Sequence, residues 1–216
     1  MIDVYSWTTG NARKVYLMLE ETGLAYRVHP IDINKGDQFS PEFLKISPNN
    51  KIPSIIDQDG PGAAPYAMFE SGAILIYLAE KTGRFLPSDD RARLDVLQWL
   101  MFQMGGVGPM FGQAGHFVSR KDEPGMEYGL QRYVKEAARL FGVMDRRLGA
   151  SEYLGGPDYT IADIATFPWC QDSEKRGVDY RDYPNFTRWF ETIAARDAVK
   201  AADAVAERLR QGRAAE

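Results

Sequence analysis

The order of predicted strands and helices changes near Gly83, and this change constrains the fold more than any other feature of the sequence. Before it, short β-rich runs alternate with helical patterns in the order β-α-β, α, β-β-α. After it, from about Arg91, only helical patterns follow. The sequence therefore predicts an α/β domain over residues 1–83, a linker over residues 84–90 and an all-helical domain over residues 91–216.

Individual elements follow from hydrophobic periodicity and from the glycines and prolines that bound each pattern. The predicted strands cover residues 2–5, 26–31, 54–57 and 67–69. One short helix is predicted to begin near residue 41, and longer ones cover residues 11–22, 71–81, 91–102, 129–147, 160–169, 184–195 and 197–209. The glycine-rich run Gly105–Pro109 is interpreted as an interruption of the helical pattern.

Composition excludes several classes of protein. The formal net charge of −4 argues against a nucleic-acid binder, which normally has a basic face. No apolar run approaches the ~20 residues of a membrane span, and the N-terminus lacks a signal-peptide pattern. The single cysteine, Cys170, excludes an internal disulfide and a Cys-x-x-Cys pair, and it indicates a reducing, cytoplasmic compartment. The two histidines, His29 and His116, are too few and too far apart to indicate a histidine-based metal site.

A proline, Pro53, stands at the entrance to the third predicted strand. Proline is tolerated there, so the pattern is consistent with nothing more than a rigid turn. A cis Ile52–Pro53 bond would instead present the backbone N–H and C=O of Ile52 to a bound peptide, which could pair with them like an added strand. Since only about 5–6% of X–Pro bonds are cis in folded proteins, the dipeptide alone favours the rigid turn.

Glu70 and Ser71 stand where the fourth predicted strand gives way to a helix. Free backbone N–H groups gather at such a helix start and attract a carboxylate, to which Ser71 can add its hydroxyl. Glu70 can hold an ammonium group, so the pair has the chemistry of an α-amino-acid clamp. An N-cap serine beside a solvated glutamate explains the pattern equally well. Asn11 and Gln38 lie on loops that this topology can bring to the same edge, although either can be an ordinary turn residue.

Taken together, these runs resemble the glutathione transferase family over essentially the whole chain. The resemblance to the thioredoxin-like domain of that family lies in three runs, Asn50–Pro53, Glu70–Ile74 and Ile76–Leu78. The capping segment of its second domain is resembled by Thr160–Asp163. In detail, the sequence resembles the bacterial Nu class of the family over three runs, Gly36–Phe43, Ile46–Pro53 and Gly105–Met110. The resemblance implies a thioredoxin-like domain, an all-α domain, a homodimer, and glutathione or glutathione disulfide as cosubstrate, with no tightly bound cofactor.

Position by position, the resemblance implies how glutathione would bind to the α/β domain. Glu70 and Ser71 would hold the amine and the carboxylate of the γ-glutamyl residue. Ile52, before a cis Pro53, would pair with the cysteinyl backbone. The first domain would therefore be the glutathione-binding domain.

Three further residues are assigned to glutathione by the same resemblance. Gln38 would contact the glycyl end of glutathione or nearby backbone, and Lys51 would add positive charge. Arg132, on the predicted helix over residues 129–147, matches a position that contacts a second glutathione. The pattern of residues around Arg132 by itself indicates only a solvated helix arginine.

The turn after the first predicted strand, Ser6–Val15, would face the sulfur of glutathione but contains no cysteine. Tyr5 falls near the position of the tyrosine that many members of the family use to stabilise the thiolate, and Thr9 and Asn11 fall at the Nu-type positions. Because Tyr5 lies within a predicted buried strand, we assign the catalytic role to Thr9 with Asn11. A threonine hydroxyl has no useful acidity near neutral pH, so we expect Thr9 to donate a hydrogen bond to the thiolate, which lowers the pKa of the thiol.

The sequence patterns in the predicted helical domain indicate mainly structural roles. Thr160 and Asp163 have the spacing of a capping box, which argues against a catalytic role for Asp163. Cys170 is expected to be a buried apolar filler. Aromatic and methionine residues flank the glycine-rich run and would form core or, in part, an apolar cosubstrate site. These residues are Trp99, Phe102, Met104, Met110, Phe111 and Phe117.

The function implied by the resemblance is glutathione-dependent reduction of disulfide bonds, with weak conjugating or peroxidase activity. Conjugation of an electrophile by the same thiolate is the alternative among enzymes. A glutathione-binding regulator or interaction protein without catalytic activity is the alternative from another class.

Overall fold

The computed structural model describes residues 1–212 and divides the chain into two compact units. The first contains Met1–Arg84 together with the C-terminal segment that begins at Arg196, and the second contains Phe85–Ala195. The sequence-based prediction instead places residues 91–216 in one helical domain, so the two divisions differ in where the last helix belongs. The end of that predicted domain, residues 213–216, lies outside the described residues.

The order of elements confirms an α/β unit followed by a helical one. The first unit contains β1 (Ile2–Ser6), α1 (Gly10–Thr22), β2 (Tyr26–Pro30), α2 (Pro41–Ile46), β3 (Ser54–Asp57), β4 (Tyr66–Phe69) and α3 (Ser71–Thr82). The second unit contains α4 (Asp90–Phe102), α5 (Gly108–Ser119), α6 (Glu127–Ala150), α7 (Ile161–Cys170) and α8 (Pro184–Ala194), and α9 (Asp197–Arg210) returns to the first unit. Among residues 1–212, no helix combines the length and apolarity that crossing a bilayer requires.

The four strands form one sheet in the order β2-β1-β3-β4. Strand β1 runs parallel to β2 and antiparallel to β3, and β3 runs antiparallel to β4. The register places Tyr5 opposite Ser54 and Ser54 opposite Phe69. The end of β1, the start of β3 and the end of β4 therefore lie at one end of the sheet. Three connections meet there, and they carry most of the site residues expected from the sequence.

Helix α9 belongs to the first unit because it packs on α1. The side chain of Arg196 donates two hydrogen bonds to Glu21, at 2.5 and 2.8 Å, and Arg13 pairs with Asp203 at 3.7 Å. The buried face of α9 is formed by small and aliphatic residues, which are Val199, Ala202, Val205, Ala206 and Leu209. This apolar face completes the core of the α/β unit.

The glycine-rich run in the second unit does not interrupt the helix. Residues Gln103–Val107 form a π-helical turn and α5 follows directly, with Pro109 in its first turn. The predicted interruption at Gly105–Pro109 is therefore wrong, and α5 was missed. Proline is tolerated in a first helical turn. A Cβ at Gly108 would lie 3.0 Å from Gln103 Nε2 and 3.6 Å from the Trp169 ring, so close packing explains this glycine better than a break does.

The capping box predicted at the start of α7 is confirmed. Asp163 is fully buried and accepts hydrogen bonds from the Leu154 N–H at 2.9 Å, the Thr160 N–H at 3.0 Å and the Trp189 Nε1–H at 2.8 Å. Burial raises the pKa of Asp163 to about 6. One carboxylate therefore joins α7 to the preceding loop and to α8, which is a structural role.

Cys170, at the end of α7, is buried and forms no disulfide. Burial raises the pKa of its thiol to about 12. A thiol with such a pKa is protonated near neutral pH and does not act as a nucleophile. The expectation of a buried apolar filler is confirmed.

Candidate active site

A pocket of about 160 Å³ opens where the three connections meet at the end of the sheet. Helix α1 supplies one lining residue, the loop before β3 supplies three, and the junction between β4 and α3 supplies three. These residues are Asn11, Lys51, Ile52, Pro53, Phe69, Glu70 and Ser71. All of them except Phe69 were named from the sequence, and the structure brings them together.

The junction between β4 and α3 turns sharply at Glu70. This residue has φ +70° and ψ 108°, a conformation that a residue with a side chain adopts at a cost of roughly 1–3 kcal/mol and that is concentrated at functional sites. The bend leaves the Glu70 side chain exposed and begins α3 at Ser71, which is 3% exposed. An acidic side chain thus stands next to a helix start that offers backbone N–H groups and a hydroxyl.

Lys14 lies behind this junction and was not named from the sequence. It is 1% exposed, and its Nζ donates a hydrogen bond to Ser71 Oγ at 3.3 Å. Burial lowers the pKa of Lys14 to about 7, and the nearby Glu70 carboxylate opposes this shift. The signal in the sequence was its position: Lys14 occupies the helical stripe that contains Val15 and Met18, both of which are buried.

The loop before β3 contains a cis peptide bond between Ile52 and Pro53. The cis reading, which the dipeptide alone did not favour, is therefore the one that the structure adopts. The hydroxyl of Ser47 donates to the Lys51 carbonyl at 2.8 Å and accepts from the Lys51 N–H at 3.4 Å, which fixes the loop. Ile52 is half-buried and Lys51 is exposed at the pocket.

Thr9 is the N-cap of α1, two residues before Asn11. Its hydroxyl accepts a hydrogen bond from the Ala12 N–H at 3.3 Å. The proton of the same hydroxyl remains able to point toward another acceptor, because a hydroxyl both accepts and donates. Thr9 itself is half-buried and is not among the residues that line the pocket.

Tyr5, the other candidate for the sulfur, is engaged within the sheet. Its ring stacks on His29 with ring centroids 4.7 Å apart. Burial and the Asp3 carboxylate raise the pKa of Tyr5 above its ordinary value. Both observations disfavour a role for Tyr5 in stabilising a thiolate.

Gln38 and Arg132 lie outside this pocket. Gln38 is in a short 3₁₀ turn, where its Nε2 donates to the Ile33 carbonyl at 3.4 Å. Arg132 belongs to the second unit and lines a separate concavity of about 650 Å³ there. The other residues of that concavity are mostly polar or aromatic and are Met110, Tyr128, Gln131, Tyr133, Lys135, Glu136 and Arg139.

The second unit also contains an apolar pocket of about 380 Å³. Its wall includes the rings of Phe111 and Trp169, and Gly112 and Gly115 leave space on the α5 side. Of the aromatic and methionine residues singled out around the glycine-rich run, Phe111 is the one that lines this pocket. Arg176 lies at 5.8 Å from the Phe111 ring centroid and 5.9 Å from that of Trp169.

Metal ligands do not cluster in the part of the chain that the structure describes. Within residues 1–212, no group of three or more histidine, cysteine, aspartate or glutamate residues is placed to hold a metal ion. The first pocket is lined instead by an acidic side chain, a helix start and an exposed lysine.

Comparison with known proteins identifies the family. The model of the glutathione S-transferase N-terminal domain matches residues 10–81, and that of the C-terminal domain matches residues 107–197. The disulfide-bond oxidoreductase YfcG of Escherichia coli is 48% identical over 200 residues, which cover 92% of this chain and 93% of that protein. The chain therefore belongs to the glutathione S-transferase family.

Two similar crystal structures contain glutathione. A family member from Pseudomonas fluorescens with two glutathione bound is 49% identical, with a TM-score of 0.88 and coverage of 93% of this chain and 91% of that one. A glutathione transferase from Pseudomonas putida with one glutathione disulfide bound per subunit is 45% identical, with a TM-score of 0.88 and coverage of 93% and 90%. The thioredoxin-like and helical fold expected from the sequence is confirmed.

Proposed function

We propose that this protein is a glutathione-dependent disulfide-bond oxidoreductase that uses the thiolate of bound glutathione as its nucleophile. The observation that carries this proposal is the pocket at the end of the sheet. It is lined by Glu70 and Ser71, which have the chemistry of an α-amino-acid clamp, and by Asn11 of α1, the helix whose N-cap is Thr9. The turn there contains no cysteine, so the reactive sulfur has to come from a ligand. The similarity to YfcG, which is a disulfide-bond oxidoreductase, supports the same assignment.

The clamp accounts for the γ-glutamyl end of glutathione. The Glu70 carboxylate is the partner for the ammonium group, and Ser71 with the start of α3 is the partner for the carboxylate. The backbone of Ile52, next to cis Pro53, pairs with the cysteinyl residue in the manner of an added strand. Lys51 supplies a positive charge for the glycyl carboxylate, and Gln38 contacts the glycyl end or nearby backbone.

Thr9 and Asn11 act on the sulfur. The Thr9 hydroxyl accepts from the Ala12 N–H, and its proton is directed to the thiolate, while the Asn11 side chain lines the pocket next to it. A hydrogen bond to the charged form lowers the pKa of a thiol and raises the fraction of nucleophile near neutral pH.

The reaction is thiol–disulfide exchange in two steps. The thiolate of bound glutathione attacks one sulfur of the substrate disulfide, forms a mixed disulfide and releases the other sulfur as a thiolate. A second glutathione thiolate then attacks the glutathione sulfur of the mixed disulfide, which yields glutathione disulfide and the second substrate thiol. The two electrons come from the two glutathione molecules. Arg132 is proposed to contact the second glutathione, from its own subunit or from the partner in a homodimer.

The apolar pocket of the second unit favours conjugation as a second candidate activity. Phe111 and Trp169 offer flat apolar surfaces of the kind that binds an aromatic electrophile. In that reaction the same thiolate attacks an electrophilic carbon instead of a sulfur, and no second glutathione is consumed.

Steady-state rates with hydroxyethyl disulfide and with chlorodinitrobenzene separate the two activities. We expect faster glutathione turnover with the disulfide, and a large loss of both rates in Ser71→Ala because both reactions use the same glutathione site. Ser88→Ala, an exposed serine that lines none of the three pockets, is the matched control. Fast conjugation with negligible disulfide reduction would reverse the ranking, and binding of glutathione without either turnover would indicate a regulator.

A further inference from the structure

Lys14 is a buried cation that the reaction above does not use. It lies on α1, which packs against α3, and it reaches the first residue of α3 through the hydrogen bond from Nζ to Ser71 Oγ at 3.3 Å. A lysine is almost never fully buried unless it is paired, because its ammonium group loses hydration. Lys14 is 1% exposed, so its position requires an explanation.

We propose that Lys14 is a positioning residue that orients the Ser71 hydroxyl toward the α-carboxylate of the γ-glutamyl group and supplies the positive charge behind it. This inference rests on the proposed function for the identity of the ligand. The role of Lys14 is separate from that of Glu70, whose carboxylate faces the ligand amine from the exposed side of the same junction.

The argument follows from the donor and acceptor chemistry of the two side chains. A protonated lysine has three donors and no acceptor, so Ser71 Oγ has to accept in their hydrogen bond. The hydroxyl proton of Ser71 is then directed away from Lys14, and Ser71 lines the pocket. A carboxylate bound there accepts that proton, and the ammonium group lies one hydroxyl behind it. The hydrogen bond to the ligand is therefore assisted by a charge that is not itself in the pocket.

The surroundings of Lys14 make this charge sensitive to the ligand. Glu70, at the start of α3, is the charge that counters its burial. On the α9 side of α1, Arg13 pairs with Asp203 and Glu21 pairs with Arg196, so each pair is neutral overall. Toward the sheet, the Tyr16 hydroxyl hydrogen-bonds Ser6, and burial raises the pKa of Tyr16 to about 12. A bound carboxylate thus adds a negative charge near Lys14.

The expected coupling between ligand and proton has a definite sign. The pKa of Lys14 is about 7 without ligand, and a carboxylate nearby raises it. Binding therefore takes up a proton, and affinity is expected to fall by up to about tenfold for each pH unit above 7 until the pKa of the complex is reached.

The test compares two ligands that have no free thiol. S-Methylglutathione has both γ-glutamyl groups, and the S-methyl derivative of 4-aminobutyryl-cysteinyl-glycine has the amine but no α-carboxylate. Calorimetric titrations from pH 6 to pH 8.5 are expected to show affinity that falls with pH for S-methylglutathione only. Equal pH profiles for the two ligands would overturn the proposal, and this comparison needs no variant.

Lys14→Met adds a second criterion, with the exposed Lys200→Met as the matched control. We expect Lys14→Met to weaken the binding of S-methylglutathione by at least about fivefold and to leave the binding of the decarboxylated ligand unchanged, because only the first ligand has a carboxylate for the charge-assisted hydrogen bond. Equal losses for both ligands, or an unfolded variant, would mean a structural role. If the wild-type protein did not bind S-methylglutathione at all, the proposed function would fail instead.

Discussion

Thr9, Ile52 and Glu70 each lie at a connection between elements, and the backbone decides where each one points. Thr9 is an N-cap, Ile52 precedes a cis peptide bond, and Glu70 has a positive φ. The residue types alone allowed an ordinary turn or a solvated charge at each position, because backbone dihedral angles are not specified by residue type. The family resemblance supplied the assignment, and the sheet register explains why the three connections that carry these residues lie at one end of the sheet.

Lys14 shows the opposite case, in which the sequence carried a signal that was not used. A lysine on a helix is normally solvated, and that general expectation hid its position within the buried stripe of α1. The helix period placed Lys14 on the buried face, but only the structure supplied its partner, Ser71, 57 residues further along the chain.

The role of Thr9 is tested by titrating the thiol of bound glutathione. Thr9→Ala removes the hydroxyl, so the pKa of the bound thiol is expected to rise by about one unit. Thr9→Ser is the matched control, because it keeps both the hydroxyl and the N-cap and should leave that pKa close to its value in the wild-type protein. A bound thiol with the same pKa in all three proteins would remove Thr9 from the mechanism.

The backbone conformation at Glu70 predicts that two substitutions, both of which weaken glutathione binding, differ in stability. Glu70→Gly and Glu70→Ala both lose the carboxylate that would hold the ligand amine, so both are expected to weaken glutathione binding. Only glycine adopts φ +70° and ψ 108° without a steric cost, so Glu70→Gly should unfold at higher urea than Glu70→Ala, with a difference of about 1 kcal/mol. Greater stability of the alanine variant would show that the junction is not strained.

At the scale of elements, the strands and the helices with strong periodicity could be predicted from the sequence. Strand β3 (Ser54–Asp57) has the predicted bounds, and the structure adds one to three residues at one or both ends of several helices. Helix α5 could not be predicted because three glycines and a proline lower its helix propensity. Packing within the second unit stabilises α5 where helix propensity does not, since Gly108 and Gly112 lie against the Trp169 ring.

Two glycines in neighbouring helices should respond to alanine in opposite directions. A Cβ at Gly115 would approach only the Lys175 carbonyl, at 3.8 Å, so Gly115→Ala is expected to stabilise the protein by up to about 1 kcal/mol through helix propensity. A Cβ at Gly129 would lie 2.1 Å from the Phe117 ring, so Gly129→Ala is expected to destabilise it by about 1–3 kcal/mol. Urea unfolding measures both, and shifts of the same sign would contradict this account of α5.

At the scale of the whole molecule, the sequence could predict an α/β unit and a helical unit but not the position of α9. The apolar stripe of a helix shows that one face is buried, and it does not show which surface covers that face. The ion pairs of α9 with α1 join residues up to 190 positions apart, which no local pattern reveals. The second unit depends in a similar way on one buried carboxylate, Asp163, whose partners lie in the loop before α7 and in α8.

Asp163→Asn is expected to lower the free energy of unfolding by about 2–3 kcal/mol, because an amide NH₂ would face N–H donors. The folded state holds a proton on Asp163 up to about pH 6, whereas the ordinary pKa of an aspartate is 3.8, so the contribution of this group to stability falls as pH rises from about 4 to 6. The stability gap between wild type and variant should therefore be larger at pH 4.5 than at pH 7. Urea unfolding measures it, with the exposed Asp158→Asn as control. An equal gap at both values would exclude this titration.

The packing of α9 on α1 has a consequence for how the protein is made. The ribosome releases β1, α1 and the rest of the first unit early, but the face of α1 that α9 covers has no partner until residues 197–210 emerge. The unit that carries the candidate active site is therefore the first to be synthesised and the last to complete its fold. We expect nascent chains halted before Arg196 to leave this unit sensitive to protease, while the helices of Phe85–Ala195 are already protected.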